Sequence, residues 1–244
     1  MTNNVVLNNV SHNDLKVIAK FDEKFGENIG SALVFPSEFI ELQKEYTILF
    51  QLNSKTKKYR AIALLGLEQN ENLFLDKRIP SGWDAHYVPA IIKKGPFLIG
   101  AQNAEHHGEE QKSFVVHVDL DHRKVSRQEG YALFLEHGGN SPYLEHITSV
   151  LSKLHLGVAL LDPMFKLFSE LDLIKPIKLE IEMNNGTEYK LIGNYTIDEN
   201  KMTSLNGEQL VKLNKSGFLH LAYAVINSIS NIRKLTEIKN SKTV

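Results

Sequence analysis

The sequence predicts an α+β fold, in which a largely antiparallel sheet is covered by helices from the C-terminal half of the chain. Residues 177–197 alternate apolar and polar side chains on both sides of an Asn185-Gly186 turn, which is typical of a hairpin with one buried face. Residues 141–161 carry apolar side chains at every third or fourth position, which indicates a long helix. Residues 46–67 contain two β-prone apolar runs that are joined by a polar turn, which favours a second hairpin.

The composition is that of an ordinary globular protein. The chain has 244 residues, of which 42% are hydrophobic and 23% are charged, and this length allows a substantial core. Its net charge of −1 argues against a broad electrostatic surface for nucleic acid or an anionic membrane. With no cysteine, the chain has no disulfides, thiolate zinc sites or cysteine nucleophiles. We predict one domain over residues 1–244, with a β-rich part at about 1–125 and a helix, hairpin and helix part at about 141–235.

The N-terminus has neither the basic start nor the apolar run of a conventional secretory signal. The most apolar stretch, residues 217–232, carries His220 and Asn227 and is shorter than the ~20 residues that cross a bilayer. We therefore expect a buried core helix there and no membrane span. The expected location is cytoplasmic, and association with the cell surface would need a non-standard route.

The first third of the chain is predicted to contain strands and turns with one short helix. That helix is predicted over residues 37–45, because Pro36 suits the first turn of a helix. The first hairpin has a basic tip at residues 53–58. Residues 76–86 contain proline, glycine and the single tryptophan, Trp83, and are predicted to be a loop.

The middle of the chain is expected to contain one strand between two loops. Residues 114–120 place apolar side chains at alternate positions, and His117 and Asp119 fall on the opposite face of the strand. Residues 100–112 and 122–140 are polar and rich in glycine and histidine. These two segments are predicted to be mobile loops.

The C-terminal half is predicted to contain the main helices. The long helix begins at Ser141, whose side chain is a good N-cap and is followed by a proline at the first helical position. Asp162-Pro163 should end or kink it. Two further helices are expected at 207–216 and 218–235, and the tail beyond them should fray.

Several short segments have a distinctive order and spacing. They are HNDL at 12–15, EF at 38–39, EYTILF at 45–50, LGL at 65–67, ENLF at 71–74, Trp83, YVP at 87–89, PF at 96–97, LIGNYTIDE at 191–199 and GFLHLAYAVINS at 217–228. In this order they resemble the SapC family of bacterial proteins over nearly the whole chain. The chain departs from the family pattern at Thr47, where proline is usual, at His117, which is not typical, and at Val225, where the family often has histidine.

The resemblance implies a non-enzymatic accessory protein that binds a protein or peptide partner. The family is named for an association with bacterial surface layers. Other members look like accessories encoded beside halogenase-like and cupin-like enzymes and outer-membrane receptors, so modifying enzymes encoded nearby are candidate partners. No catalytic residue is established for the family, so none is carried over and no cofactor is expected. A structural surface-layer component is an alternative function.

Aromatic side chains in the predicted loops are the candidate binding residues. Loops 76–113 and 122–140 are expected to form the binding surface, with Trp83, His86 and Tyr87 as contacts, because aromatic residues concentrate binding energy at interfaces. An exposed sheet edge could also accept a strand from an extended peptide.

The His117-Val-Asp119 pattern supports a second alternative, a metal-dependent enzyme. Side chains two positions apart on a strand point the same way, so His117 and Asp119 could bind one iron or zinc ion. His220 would then complete the two-histidine, one-carboxylate set of iron oxygenases, and Arg233 could meet an acidic co-substrate. The pattern arises easily in a chain with ten histidines. An exposed polar strand face is therefore the simpler interpretation.

Overall fold

The computed structural model describes residues 3–106 and 109–242, and their side chains except those at 101–113. The described strands are β1 (Asn4–Val6), β2 (Lys16–Val17), β3 (Ser31–Val34), β4 (Ile48–Leu52), β5 (Tyr59–Leu64), β6 (Phe97–His106), β7 (Glu109–Asp119), β8 (Val125–Ser126), β9 (Tyr131–Ala132), β10 (Ile174–Glu182) and β11 (Glu188–Ile197). The described α-helices are α1 (Phe39–Leu42), α2 (Ala90–Lys93), α3 (Pro142–Glu170), α4 (Glu199–Thr203), α5 (Gly207–Lys215), α6 (Leu219–Ser228) and α7 (Ile232–Lys242). Single 3-10 turns lie at Glu23–Phe25, Pro36–Glu38 and Ile229–Asn231.

The described strands pair antiparallel throughout and form three sheets. The largest has the order β10-β11-β4-β5-β3. The other two have the orders β1-β7-β6 and β8-β2-β9. The α+β prediction is therefore confirmed, with the antiparallel strands divided among three sheets instead of one.

Both predicted hairpins are present. In the first, β4 and β5 pair directly, with Leu52 opposite Tyr59 at the tip. In the second, β10 and β11 meet at the predicted turn, where Gly186 has φ +81°. The Met183 N–H donates to the Thr187 carbonyl at 2.8 Å and closes that turn. Local sequence predicted both hairpins, because alternation and turn chemistry involve neighbouring residues.

The predicted mobile loop at 100–112 is wrong, because β6 and β7 form a long hairpin there. Their register runs from Phe97 opposite Val118 to His106 opposite Glu109, and residues 107–108 lie outside the described chain. Strand pairing satisfies the backbone N–H and C=O groups whatever the side chains are. A polar, glycine-containing composition therefore did not exclude strands.

The long helix α3 begins as predicted but continues further. The Ser141 hydroxyl accepts the N–H of Leu144 at 3.2 Å and caps the helix. Of the end or kink predicted at Asp162-Pro163, the end does not occur, since α3 runs through Pro163. An internal proline costs a helix about 3 kcal/mol. Buried side chains beyond it offset this cost, among them Phe165, whose ring packs edge-on against another aromatic ring at 4.9 Å.

The C-terminal region differs from the single helix that we predicted. It consists of α6, a 3-10 turn and α7, and α7 extends over most of the tail that was expected to fray. The Lys242 ammonium donates to the carbonyls of Leu73 and Leu75 at 2.6 and 2.9 Å, and Lys239 forms an ion pair with Glu71. These contacts join positions far apart in the sequence, so a local pattern could not reveal them.

The apolar stretch at 217–232 is a core segment, as predicted. In α6, Leu221, Ala222 and Val225 are buried in the main core, which packs around the five-stranded sheet. Within residues 3–106 and 109–242, no helix has both the length and the apolar character needed to cross a membrane.

A second, smaller core lies where β2, β6 and β7 meet the start of α3. It includes Val17, Phe97, Val118 and Ile147, all of them buried. Because α3 contributes to this core at its beginning and to the main core at its end, the helix joins the two regions.

Candidate functional site

The loop before α2 carries the three predicted contact residues, and Glu45 holds it in place. The Glu45 carboxylate accepts the backbone N–H groups of His86 and Tyr87, each at 3.0 Å, and lies 3.4 Å from the Lys234 ammonium. Burial raises the pKa of Glu45, but the hydrogen bonds from Tyr87 and His86 outweigh it and hold the pKa below its ordinary value. Glu45 therefore anchors this loop as a carboxylate.

Glu38 fixes the next part of the same loop from inside the protein. Its buried carboxylate accepts the Phe35 N–H at 3.1 Å, the Ala90 N–H at 2.9 Å and the Tyr87 hydroxyl at 3.0 Å. Burial raises the pKa of Glu38 by more than these three hydrogen bonds lower it. Glu38 thus ties the turn before α1 to the start of α2.

Trp83 belongs to the core. Its indole N–H donates to the Tyr46 hydroxyl at 2.8 Å, and that hydroxyl donates to the Tyr87 carbonyl. The indole ring lies 6.1 Å from the Phe74 ring and 5.4 Å from the Phe21 ring, and Trp83 is 2% exposed. A buried ring presents no surface to a partner, so the structure gives Trp83 a packing role where we expected a contact.

The other two predicted contacts differ from each other. The side chain of His86 is fully exposed, with its Nδ1 atom 3.2 Å from Glu45. Tyr87 is half-buried and its hydroxyl is bound to Glu38. Only His86 of the three therefore offers a whole side chain at the surface.

The predicted metal ligands are not brought together. Asp119 uses its carboxylate in a turn, where it accepts the N–H groups of Asn3 at 3.0 Å and Asp121 at 3.2 Å. His117 lies on β7, whereas His220 lies on α6, which packs against the five-stranded sheet. Among the side chains that the structure describes, no three His, Asp or Glu residues are grouped so that they could hold a metal ion. The three-ligand arrangement of the alternative hypothesis is therefore not found among the described side chains.

The two loop regions expected to form a binding surface lie on either side of residues 18–25 and line one cavity with them. The Phe21 N–H donates to the Ser81 carbonyl at 2.8 Å, and the Ile18 N–H donates to the Lys124 carbonyl at 2.9 Å. The space between the segments 18–25, 77–82 and 129–131 is an open cavity of about 670 Å³. We call it the interloop groove.

Glycines allow both loops to lie close to the backbone of Val17 and Phe21. Gly82 has φ +82°, and a Cβ atom there would lie 2.0 Å from the Phe21 carbonyl oxygen. Gly130 has φ +106°, and a Cβ atom there would lie 2.4 Å from the Val17 carbonyl oxygen. Both positions combine a backbone conformation that favours glycine with a contact that excludes any side chain.

We expect Gly82→Ala to lower the free energy of unfolding by about 3 kcal/mol, because strain of about 1–2 kcal/mol from positive φ is added to a backbone clash. Gly26→Ala is the matched control, since Gly26 has φ +84° but no atom within 4 Å of the added Cβ. Urea denaturation followed by Trp83 fluorescence measures both variants. Equal losses in the two variants would show that the close approach contributes nothing.

The groove has an apolar floor with charged groups around it. Phe25, Ile79 and Pro80 supply apolar surface, and Tyr131 is 60% exposed beside them. The basic residues are Lys20, Lys24 and Lys77, and the acidic ones are Asp22 and Glu129. Sequence reasoning gave no role to residues 18–25. No local signal marks them, because the groove exists only where three separate segments meet.

A buried ion pair supports the floor of the groove. Lys124 is 3% exposed, forms an ion pair with Glu27 and places its ammonium 4.4 Å from the centre of the Phe21 ring and 5.3 Å from that of Phe25. Glu27 also accepts the Asp22 N–H at 2.8 Å. Burial lowers the pKa of Lys124 and raises that of Glu27, in each case against the attraction of the partner. The pair thus fixes the two aromatic rings.

Comparison with known proteins bears on the origin of these features. Neither a curated protein nor a solved structure matches the chain. A family model, described as SapC, matches residues 7–235. This range contains Glu38, Glu45, Trp83 and all three segments of the interloop groove, and it confirms the resemblance seen in the sequence. The protein belongs to the SapC family.

Proposed function

We propose that this member of the SapC family is a non-enzymatic accessory protein that binds an extended segment of a protein partner in the interloop groove. The observation that carries the proposal is the assembly of segments 18–25, 77–82 and 129–131 around one open cavity of about 670 Å³. Modifying enzymes encoded nearby are the proposed class of partner.

The groove is held in its shape by the rest of the protein. Backbone hydrogen bonds fix residues 18 and 21, and the Lys124–Glu27 pair fixes the aromatic floor. A preformed site loses little conformational entropy on binding, so more of the contact energy appears as affinity. This rigidity supports a binding function for the groove.

The lining suits an extended peptide. Apolar side chains such as Phe25 and Pro80 can contact the side chains of a peptide, and the charged rim can pair with its polar groups. Tyr131, which is largely exposed, is the proposed aromatic anchor. His86 lies outside the groove lining, so we assign it no contact in this proposal.

The segments that carry the family resemblance support a scaffold role. Glu38, Glu45 and Tyr46 direct their side chains to the loop that contains Trp83 and Tyr87, and their hydrogen bonds hold backbone and ring positions. These segments therefore build the frame on which residues 77–82 are presented.

Photo-cross-linking tests the proposal in the native host. We expect a benzoylphenylalanine at position 131 to cross-link to a protein partner that is not captured from position 223. Tyr223 is the matched control, because it is an exposed tyrosine on α6, outside the groove. The same adducts from both positions, or none from position 131, would contradict the proposal.

The cross-linked segment then provides a quantitative test. A synthetic peptide of that segment should bind the purified protein about tenfold more weakly when Tyr131 is replaced by alanine, as expected for an aromatic anchor. Tyr223→Ala should leave the dissociation constant unchanged. Titration calorimetry measures both dissociation constants. An unchanged affinity in Tyr131→Ala would show that Tyr131 is not the anchor and that the groove is not the binding site.

A further inference from the structure

A second cavity of about 220 Å³ adjoins the interloop groove. It shares Ile18, Phe21 and Tyr131 with the groove and extends from there towards α2 and the first turns of α3. Its far end is lined by Lys93 and His146. We call this cavity the side pocket.

The basic residues of the side pocket are not balanced by acidic ones. Lys93, Lys124 and His146 line it, and no acidic residue does so among the described side chains. Lys124 is paired with Glu27, which does not line the pocket. For the side chains of Lys93 and His146, the described part of the chain supplies neither a hydrogen bond nor an ion pair. Among the described side chains, the pocket therefore has no counterion for the charge of Lys93.

The electrostatic environment of these two residues agrees with that picture. Burial lowers the pKa of Lys93, and the positive charge of Lys153 lowers it further. Partial desolvation lowers the pKa of His146, which is exposed, and the charges of Lys93 and Lys153 add to the effect, so the neutral imidazole is favoured. The positive charges of Lys93 and Lys153 lie close enough to repel each other, and this favours the binding of an anion beside them.

The remaining wall is aromatic. The Tyr143 and Tyr131 rings are stacked, with centres 5.3 Å apart and planes at 13°, and Phe21 lines the same cavity. Such a wall favours a flat or apolar group beside the charged end. A fully hydrated inorganic ion would make no apolar contact with these aromatic rings.

We propose that the side pocket binds a carboxylate attached to an aromatic or apolar group, with the carboxylate at Lys93 and His146 and the apolar group against Tyr143. This inference goes beyond the proposed function, because the pocket needs no peptide in the groove. The same chemistry is present in a small free acid and in the C-terminal residue of a peptide that lies in the groove.

Titration of the purified protein with benzoate, followed by NMR, tests the proposal. We expect benzoate to bind, and the neutral isostere benzamide to bind at least about tenfold more weakly, since only benzoate makes charge-assisted contacts. Lys93→Gln and His146→Gln should each weaken benzoate binding by about tenfold. Lys166→Gln is the control, because Lys166 is an exposed lysine of α3 outside the pocket.

Two outcomes would overturn the proposal. One is equal affinity for benzoate and benzamide, and the other is benzoate binding that Lys93→Gln and His146→Gln leave unchanged. If peptides bind in the groove while benzoate does not bind at all, the side pocket is refuted and the proposed function is left intact.

Peptides that end in phenylalanine distinguish the two sources of the carboxylate. If a free C-terminus binds about tenfold more tightly than the amidated peptide, and Lys93→Gln abolishes the difference, the carboxylate comes from the partner. If the two peptides bind equally while benzoate retains its Lys93-dependent binding, the ligand is a small free acid. Both results support the carboxylate pocket and differ only in the source.

Discussion

Replacing Glu38 with alanine is expected to lower the free energy of unfolding by about 4 kcal/mol. The change removes the acceptor for the Phe35 N–H, the Ala90 N–H and the Tyr87 hydroxyl in a buried site. Each hydrogen bond to a charged group contributes about 1.5–3 kcal/mol, and buried donors without partners add a desolvation cost. Urea denaturation followed by Trp83 fluorescence measures the loss, since Trp83 lies in the same hydrogen-bonded network.

Glu41→Ala is the control for this change. Glu41 lies three residues away, is exposed, and has one ion pair at the surface, with Lys44 at 2.8 Å. Surface pairs contribute about 0–1 kcal/mol, so its loss should be small. If both variants lost the same stability, Glu38 would not be the anchor of this loop.

The effect of Glu38 should also depend on pH in a defined direction. Burial raises the folded-state pKa of Glu38 above its ordinary value of 4.5, so the residue favours folding at pH below that value. This contribution is lost as the pH rises through the raised pKa. Since glutamine does not titrate, the stability of the wild type relative to Glu38→Gln should fall as the pH increases from 4 to 8. A difference that rose with pH would contradict the direction of the shift.

Breaking the Lys124–Glu27 pair is the second change with a large expected effect. Lys124→Met should lower the free energy of unfolding by about 3–5 kcal/mol, because it leaves the Glu27 carboxylate buried without its counterion. The loss should shrink at acidic pH, where Glu27 becomes protonated. Thermal and urea denaturation at neutral and acidic pH measure it.

The double variant Glu27→Gln with Lys124→Met separates the unpaired charge from the loss of packing. With neither charge present, the loss should be smaller than in Lys124→Met alone, since a buried pair replaced as a whole is often close to neutral. Lys77→Met is the surface control, because the Lys77–Glu23 pair is largely exposed. Additive losses of the two single changes would show that Glu27 and Lys124 are not coupled.

The candidate site was only partly predictable. The loop at 76–86 and the segment 122–140 were identified from glycine, proline and polar residues, and both contribute to the interloop groove. Trp83, one of the three residues expected to contact a partner, is buried. The sequence did not reveal this, because an aromatic residue in a loop has the same local sequence whether its side chain is buried or exposed. Residues 18–25, which form the centre of the groove, carry no motif.

The fold, like the site, was only partly predictable from the sequence. The Asn185-Gly186 hairpin, the Ser141 cap and the core segment at 217–232 were determined by the sequence itself, because alternation, turn chemistry and capping act between neighbouring residues. Tertiary structure alone decided that α3 continues through Pro163 and that α7 is held by Lys242. It also brought the segments of the groove together. Those outcomes depend on contacts between positions that are distant along the chain, and their free energies exceed the weak local preferences that a sequence displays.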